Sequence, residues 1–332
     1  MIDIKTVRKS ATSWEKVPIE NPIARRMNAA KFRLNDLGDR GGIGTRAAYL
    51  CGPPGVGKTY NIVQQEKYWK ENGIDTIRFR PRNVHDLLDH FKMACGKSPL
   101  VMEEADVIFR SRPMFEILKQ ATDPETPDKF HRFEKVKTTK VSVYISLNVP
   151  IIVSTNMDLL KDDGWDKNLL PDRDALFERA MPISVPNDPF FLWEWSVYLA
   201  LTSRLTEPVT IRNPNGGMPI KANNSLAVQA AAIDWFTDHV PSLISISPRI
   251  LKKVAALFGR IHRGDMPQHI ADDELSGLVG KKRDMPAPKK ADWITLLTSV
   301  PKSSLAQPKI SGMPVRSPNP ANNPAHESKK AA

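Results

Sequence analysis

The stretch from Gly52 to Thr59 constrains the fold of this chain more than any other. It reads G-P-P-G-V-G-K-T and so completes the phosphate-loop pattern G-x-x-x-x-G-K-[ST]. Glycines let several backbone N–H groups approach a polyphosphate, a lysine ammonium contacts the β- and γ-phosphates, and a hydroxyl binds Mg²⁺. The pattern predicts a nucleotide site in which Lys58 holds phosphate and Thr59 holds the metal. The residues expected to contact the nucleotide are Gly52, Pro53, Pro54, Gly55, Val56, Gly57, Lys58, Thr59 and Tyr60.

The surroundings of this loop predict an α/β fold. An apolar run, Ala47 to Cys51, precedes the loop and a helical pattern follows it, so the phosphates would lie at a helix N-terminus. Apolar runs then alternate with helical patterns, which is typical of a mostly parallel sheet covered on both faces. The five predicted strands are 47–51, 75–80, 100–104, 149–154 and 181–185.

Composition shifts along the chain predict four regions. They are an N-terminal approach segment (1–45), a nucleotide-binding α/β domain (46–188), a helical lid domain (189–263) and a mostly disordered, Pro-rich basic tail (264–332). The approach segment contains a short basic helical pattern at 22–32, and the lid contains a turn-rich connection at 205–224. Within the tail, Trp293 to Leu297 is the exception and reads as a docking segment.

Charge and cysteine usage limit the partners of the chain. A net charge of +11 and a pI near 9.5 favour a polyanionic partner. Cys51 and Cys95 stand alone in apolar surroundings, which indicates reduced core residues in a cytoplasmic protein. The sequence shows no secretion signal and no apolar stretch of membrane-spanning length, so no membrane partner is expected.

Polar residues follow two of the predicted strands. Glu103 and Glu104 come directly after the strand at 100, and Asn156 follows the strand at 149. A phosphate loop needs a carboxylate for Mg²⁺ and a group that activates water, both at the end of a neighbouring strand. Glu103 would act on Mg²⁺ through water, Glu104 would polarise the attacking water, and Asn156 would reach the γ-phosphate. The alternatives are a solvated acidic loop and an asparagine that merely ends a strand.

These motifs resemble those of the AAA+ ATPases in order and spacing over roughly residues 46–263. The stretch from Asp174 to Arg179 is similar to the one that carries the family's arginine finger, which reaches into a neighbouring subunit's ATP. Arg179 fits the finger position better than Arg173, which is the alternative. Arg249 is similar to the second sensor, an arginine that opens a lid helix and contacts the γ-phosphate. The alternatives are that Arg179 forms an ion pair with a nearby acid and that Arg249 is a solvated residue at the start of a helix.

The resemblance implies an oligomeric ATPase. ATP would bind between subunits of a ring or open assembly, with six subunits as the family's usual number, and the likeness to small bacteriophage ATPases implies a bacterial host cytoplasm. One departure is that the family has Asp where this chain has Glu103. Since glutamate keeps the charge and adds one methylene, we expect hydrolysis to continue at a reduced rate; without hydrolysis the chain would be a nucleotide-binding switch.

A long insertion before the strand at 149 predicts a β-hairpin that turns around Thr138 and Thr139. Such a hairpin is similar to the one that contacts nucleic acid in superfamily 3 viral helicases. The residues that would track a phosphate backbone here are Arg132, Lys135, Lys137 and Lys140, with His131 and with Phe130 or Phe133 stacking on bases. Ordinary solvated lysines are the alternative. Arg78, Arg80 and Arg82 form a second candidate contact at the end of the second strand.

Together these features predict an ATP hydrolase that couples Mg-ATP hydrolysis to remodelling or translocation of nucleic acid, with single-stranded DNA favoured. The chain lacks the aromatic–glycine pair that protein-threading rings use at the second strand, which favours nucleic acid. The rival hypotheses are a ring that remodels a protein partner, and an ATP-binding switch without substantial turnover.

Overall fold

The computed structural model describes residues 21–38, 46–123, 130–134, 142–180, 182–211, 218–286 and 288–299. The strands are β1 (Ala47–Cys51), β2 (Ile77–Phe79), β3 (Leu100–Met102), β4 (Phe130–Glu134), β5 (Ser142–Ser146), β6 (Ile151–Thr155), β7 (Ile183–Ser184), β8 (Pro208–Ile211) and β9 (Ile220–Asn223). The helices are α1 (Pro22–Gly38), α2 (Lys58–Glu71), α3 (Val84–Ala94), α4 (Arg112–Thr122), α5 (Arg173–Arg179), α6 (Pro189–Thr202), α7 (Leu226–His239), α8 (Pro248–His262), α9 (Gln268–Ser276) and α10 (Trp293–Ser299).

Five strands form one parallel sheet in the order β2-β3-β6-β1-β7, which confirms the predicted fold class. In this order β6 lies between β1 and β3, and Cys51 of β1 is level with Thr155 of β6. The carboxyl ends of β1, β3 and β6 therefore meet at one edge of the sheet. The phosphate loop, the acids after β3 and Asn156 leave the sheet side by side.

Alternate residues of β1 supply two cores, one on each face of the sheet. Tyr49 and Cys51 pack with α3, α4 and α5 on one face. Ala48 and Leu50 pack with α1 and α2 on the other. All five residues of β1 are buried, because a strand with helices on both sides has no polar face. Helix α1 continues six residues past its predicted end at 32, since Leu34 and Leu37 extend its buried face.

The lid consists of helices packed on α6, which is apolar almost all round. Such a helix is buried from several sides, and Trp193, Trp195 and Tyr198 are all buried in one cluster with α7 and α8. Asp188 caps α6 by accepting hydrogen bonds from the backbone N–H groups of Phe190 and Phe191, at 2.9 and 3.0 Å.

Part of the predicted disordered tail is folded: α9 is a helix where disorder was expected, and α10 coincides with the segment from Trp293 to Leu297 that the sequence set apart. Leu275 of α9 is buried against α8, and Leu297 of α10 is buried in the lid core. The indole N–H of Trp293 donates to Asp234 of α7 at 2.7 Å, so the predicted docking of Trp293 to Leu297 is confirmed. Few but large apolar residues decide this outcome, because their burial offsets the proline-rich composition. Residues 300–332 lie outside the described part of the chain.

The insertion forms the predicted hairpin. Strands β4 and β5 pair antiparallel with Glu134 level with Ser142, and the predicted turn at Thr138 and Thr139 lies outside the described residues. Lys135, Lys137 and Lys140, as well as the side chain of Arg132, lie outside the described residues. A second, unpredicted hairpin occupies the connection at 205–224, where β8 pairs with β9. Its strands have only four residues each, too short for a clear alternating pattern.

Candidate nucleotide site

Three glycines give the phosphate loop its conformation. Gly52, Gly55 and Gly57 have φ angles of 125°, 84° and 111°, a region that residues with a side chain rarely adopt. A Cβ atom on Gly52 would lie only 2.6 Å from the carbonyl oxygen of Val185. Glycine is thus required at Gly52 both for the backbone angle and for the close approach of the segment after β7.

The loop is held by the lid and by α1 as well as by the sheet. The indole N–H of Trp195 in α6 donates to the carbonyl oxygen of Val56 at 2.9 Å, and both residues are buried. At Gly55 a Cβ would lie 2.9 Å from the Cβ of Ser247, the residue that caps α8. At Gly57 the nearest atom would be the sulfur of Met27 in α1, at 3.6 Å. The position of the lid and the shape of the loop are therefore mechanically linked.

Lys58 lies buried at the centre of the site, with 6% of its surface exposed. Its ammonium donates to the carbonyl oxygens of Gly52 and Pro53 (2.9 Å for the latter) and to Oδ1 of Asn156 at 3.2 Å. Burial is the main cause that lowers the pKa of Lys58 to about 8, and the positive charge of Arg249 makes a smaller contribution in the same direction. A desolvated cation among backbone dipoles is suited to an anionic ligand, so these residues fit a polyphosphate.

Asp106 fixes the position of Asn156, the residue that accepts a hydrogen bond from Lys58. One carboxylate oxygen of Asp106 accepts hydrogen bonds from the Thr155 hydroxyl and from the backbone N–H of Asn156, the latter at 3.0 Å. These bonds join the end of β6 to the segment after β3. Sequence analysis gave Asp106 no separate role. Its signal was its place two residues after Glu104, inside the acidic motif.

The two adjacent acids after β3 have different surroundings. The backbone N–H of Glu103 continues the ladder to β2 by donating to Phe79 at 2.9 Å, and its side chain is half-buried. Burial raises the pKa of Glu66 in α2, and the negative charge of Glu103 acts in the same direction to a smaller degree. Glu103 and Thr59 are the residues that could hold Mg²⁺.

Glu104 has the left-handed conformation, with φ 48°, which is costly for a residue with a side chain. Its carboxylate forms an ion pair of 2.6 Å with Arg80, from the end of β2, and both side chains are exposed. Sequence analysis treated Arg80 as a nucleic-acid contact, and the structure places it against the predicted water-polarising acid. Because exposed ion pairs contribute only about 0–1 kcal/mol, this one can open readily.

Arg249 and Tyr60 border the loop from opposite sides. Arg249 is exposed in the first turn of α8, and its Cβ would lie 3.7 Å from a Cβ on Gly55. Tyr60 is exposed in the first turn of α2, immediately after Thr59. The structure therefore brings Lys58, Asn156, Asp106 and the start of the α8 helix around one loop.

The two arginines at the predicted finger position are bound within their own chain. Arg179 donates to the Ala175 carbonyl oxygen at 2.5 Å and lies 3.6 Å from an Asp123 carboxylate oxygen. Arg173 forms a 2.6 Å ion pair with Asp162 and lies 5.9 Å from the ring centre of Phe177. None of these partners belongs to the phosphate loop.

No protein-family model matches the chain, and no curated protein matches it significantly. Among solved structures, domain III of the replication initiation protein DnaA from Thermotoga maritima is similar at 12% identity, with a TM-score of 0.42 over 81% of this chain and 98% of that one. A mutant of RuvB from Thermotoga maritima is similar at 14% identity, with a TM-score of 0.38 over 87% of this chain and 72% of that one. At such values, similarity alone assigns neither family nor function.

The chain's own fold and site define a nucleotide-binding protein with a phosphate loop, a parallel sheet and a helical lid. This architecture agrees with the resemblance of its motifs to the AAA+ ATPases. Within the described residues, no helix has both the length and the apolar character needed to span a membrane.

Proposed function

We propose that this chain is an ATPase of the AAA+ type that uses Mg-ATP hydrolysis to remodel or translocate nucleic acid. The observation that carries the ATPase proposal is the buried ammonium of Lys58, which joins the phosphate loop to Asn156 at 3.2 Å. This contact requires the carboxyl ends of β1 and β6 to lie side by side, and a chance glycine-rich turn would not produce it.

Each residue of the site has a role in the proposed reaction. Lys58 and Arg249 hold the phosphates and offset their negative charge, while the backbone N–H groups of the non-proline residues from Gly55 to Tyr60 orient them. Thr59 and Glu103, the latter through water, would hold Mg²⁺, which adds positive charge at the β- and γ-phosphates. Asn156 is fixed by Asp106 where it can contact the γ-phosphate or the attacking water.

Glu104 is the residue proposed to polarise the attacking water, and its ion pair with Arg80 opposes that role. While Arg80 holds the carboxylate at 2.6 Å, its negative charge is partly neutralised, so Glu104 is a weaker hydrogen-bond acceptor for water. Hydrolysis therefore requires Glu104 to leave Arg80. The left-handed φ of Glu104 is a local strain that a change of conformation would relieve.

The proposed assembly is a ring or open oligomer, hexameric by resemblance, in which a neighbour's Arg179 completes the site. Arg179 would stabilise the charge that develops on the transferred phosphoryl group. Its contact with Asp123 is long for an ion pair, at 3.6 Å, and can exchange for a phosphate more easily than the 2.6 Å pair of Arg173 with Asp162. This difference supports Arg179 over Arg173 as the finger.

Nucleic acid is the proposed substrate because of the basic composition and the hairpin β4–β5. The net charge of +11 favours a polyanion, Arg132 belongs to β4, and Lys135, Lys137 and Lys140 fall between β4 and β5 in the sequence. Single-stranded DNA is the favoured form, since Phe130 or Phe133 could stack on unpaired bases.

The experiment is a phosphate-release assay of the full-length chain with and without single-stranded DNA, beside the Glu104→Gln variant. We expect Mg²⁺-dependent release that DNA stimulates, and a loss of at least about a hundredfold in Glu104→Gln with ATP binding retained, since general-base catalysis contributes roughly 10²–10⁴-fold. Turnover that persists in Glu104→Gln would refute the assigned role. If DNA neither stimulates turnover nor binds the chain, the result would point to a protein substrate.

A second candidate is an ATP-binding switch without substantial turnover, which the Arg80–Glu104 ion pair favours. In that case ATP would bind and change the oligomeric state, and Arg80→Ala would leave phosphate release at background. If the chain is an ATPase, Arg80→Ala instead releases Glu104 and raises basal turnover. Sizing in ATP beside the phosphate-release assay separates the two functions.

A further inference from the structure

The outer surface of α1 and α2 carries basic and aromatic side chains on the sheet face opposite the hairpin. Both helices cover the same face, with Leu34 of α1 and Trp69 of α2 in one core. Asn61 in α2 lies 3.6 Å from the Met27 sulfur in α1, so the helices run side by side from their N-terminal ends. The stripes that they turn away from the sheet therefore form one continuous surface.

This surface is strongly positive. Its exposed cations are Arg25, Arg26, Lys67 and Lys70. Within the described part of the chain, none of these four forms an ion pair. The exposed acids on the two helices are Asp36 and Glu71, one at each C-terminal end.

Helix stability does not account for the positions of these arginines. Arg25 and Arg26 lie near the N-terminus of α1, where the helix dipole disfavours positive charge. No acid occupies the first turn of α1 to compensate. Cations kept at an electrostatically unfavourable position, and left without acidic partners, are suited to an external anion.

The same surface exposes large aromatic side chains. Among the described residues, the exposed aromatic side chains are Phe32, Tyr60, Tyr68 and Tyr144, and three of them belong to α1 and α2. Phe32 is 68% exposed and Tyr68 is 39% exposed, while the neighbouring Trp69 is buried. An aromatic ring left in water beside unpaired cations is the combination that binds single-stranded nucleic acid, because the bases stack and the phosphates pair with the cations.

We infer that the outer face of α1 and α2 is a binding surface for single-stranded nucleic acid, separate from the hairpin. Lys67 and Lys70 contact phosphates, as do Arg25 and Arg26, while Phe32 and Tyr68 stack on bases. The inference rests on the proposed function for its ligand class, but it places the ligand on the opposite face of the sheet from the hairpin. A Cβ on Gly57 would lie 3.6 Å from the Met27 sulfur, so the buried side of α1 lies beside the phosphate loop.

The test is fluorescence anisotropy of a labelled single-stranded oligothymidylate with the full-length chain, over a range of salt and without ATP. Two double variants address the two contributions. Phe32→Ala with Tyr68→Ala should weaken binding by about fivefold to a hundredfold, the loss of stacking on one base or more, with little change in salt dependence. Lys67→Glu with Lys70→Glu should reduce the slope of log affinity against log salt by about 1.4, the value for two phosphate contacts.

A charge-matched control is Lys281→Glu with Lys282→Glu, two exposed lysines that follow the lid helices. This control should retain the affinity and salt slope of the unchanged protein. If the α1–α2 variants bind like the control, the inference is overturned. If Phe32→Ala with Tyr68→Ala changes only the sedimentation behaviour, the surface is a contact between copies and the inference is likewise overturned.

The outcomes also separate this inference from the proposed function. Loss of DNA binding in the α1–α2 variants of a chain that shows no ATP turnover would support the inference and refute the ATPase. If DNA stimulates turnover, and the α1–α2 variants change neither that turnover nor the DNA affinity, the inference is refuted and the ATPase proposal is supported. Thermal melting of each double variant confirms that the exposed substitutions leave the fold intact.

Discussion

The phosphate loop and the arginines of α5 belong to the same proposed reaction, yet they differ in the contacts that they make within one chain. At the loop, Lys58 and Asn156 contact each other, and Asp106 fixes the second of them. At α5, the contacts of Arg179 and Arg173 within the described part of the chain are with acids, a carbonyl group and the ring of Phe177, all outside the phosphate loop. The fold of one chain brings the residues of the phosphate loop region together, whereas the arginines of α5 are bound to residues outside that loop.

This difference indicates where the reaction is controlled. In the proposed reaction a single chain would bind the phosphates, because the ends of its own parallel strands bring the phosphate-binding residues together without a partner. The finger becomes part of the site only if another copy presents it, and it must first exchange Asp123 for phosphate. Nucleotide binding should therefore be a property of one chain, and hydrolysis a property of the assembly.

The largest effect expected is that of Arg179→Ala, which should reduce phosphate release by about a thousandfold or more, as arginine fingers contribute roughly 10³–10⁵. ATP affinity should be nearly unchanged, since the arginine lies outside the loop of its own chain. Mixing Arg179→Ala with Lys58→Ala chains should restore part of the turnover, because each supplies the half that the other lacks.

The control for this prediction is Arg173→Ala, which removes the arginine paired with Asp162. It should change turnover by far less than Arg179→Ala. The reverse order would make Arg173 the finger, and equal ATP affinity loss in both variants would place the arginines in the chain's own site instead.

Lys58→Ala should lower phosphate release by about a hundredfold to a thousandfold, the usual cost of removing one donor to the charge that develops in the transition state. Unlike Arg179→Ala, it should also weaken ATP binding, which isothermal titration calorimetry measures. Binding that survives Lys58→Ala at full affinity would contradict the assignment of the loop. Lys97→Ala, at an exposed lysine after α3, is the matched control.

Arg249→Ala should have an intermediate effect, with ATP binding weakened by about tenfold to a hundredfold, the range for one hydrogen bond to a charged group. The physical reason is that α8 places this arginine beside Gly55. Calorimetry with ATP and ADP distinguishes its contact: a loss confined to ATP indicates the γ-phosphate. Lys252→Ala, the exposed lysine three residues further along α8, should bind both nucleotides normally.

The smallest effect expected is a dependence of ATP affinity on pH. Burial lowers the pKa of Lys58 to about 8. In the nucleotide-free protein the Lys58 amine is therefore protonated below that pH and deprotonated above it. ATP affinity should fall as pH rises above about 8, by at most about tenfold per pH unit, and binding there should take up a proton. Calorimetry in two buffers of different ionisation enthalpy measures that proton; equal heats in both would contradict the prediction.

The same lowered pKa predicts that the stability of the fold changes with pH in the opposite direction to ATP affinity. The unfolded chain keeps the Lys58 proton up to its ordinary pKa of about 10.4, whereas the folded chain releases it near 8. Between these values the unfolded state binds more protons, so this residue's contribution to the free energy of unfolding rises with pH. Denaturation of Lys58→Met, which cannot titrate, should lack this contribution.

The sequence predicted elements well where a local pattern is strong. The helical pattern after the phosphate loop is observed as α2 (Lys58–Glu71), and the predicted hairpin is observed as the antiparallel pair of β4 and β5. It failed where packing outweighs composition, as in α9. The two buried apolar residues of α9, Ala271 and Leu275, share a core with Ala232 of α7 and Val254 of α8.

The sequence by itself determined the nucleotide loop, because glycine spacing is a local requirement of backbone conformation. It also determined the parallel sheet and the acids after β3. Only the tertiary structure decided that Asp106 fixes Asn156, that Arg80 holds Glu104 and that Asp123 holds Arg179. Such partnerships join strand and helix ends separated along the chain, and ion pairs and hydrogen bonds act over a few ångströms, so no local pattern specifies them.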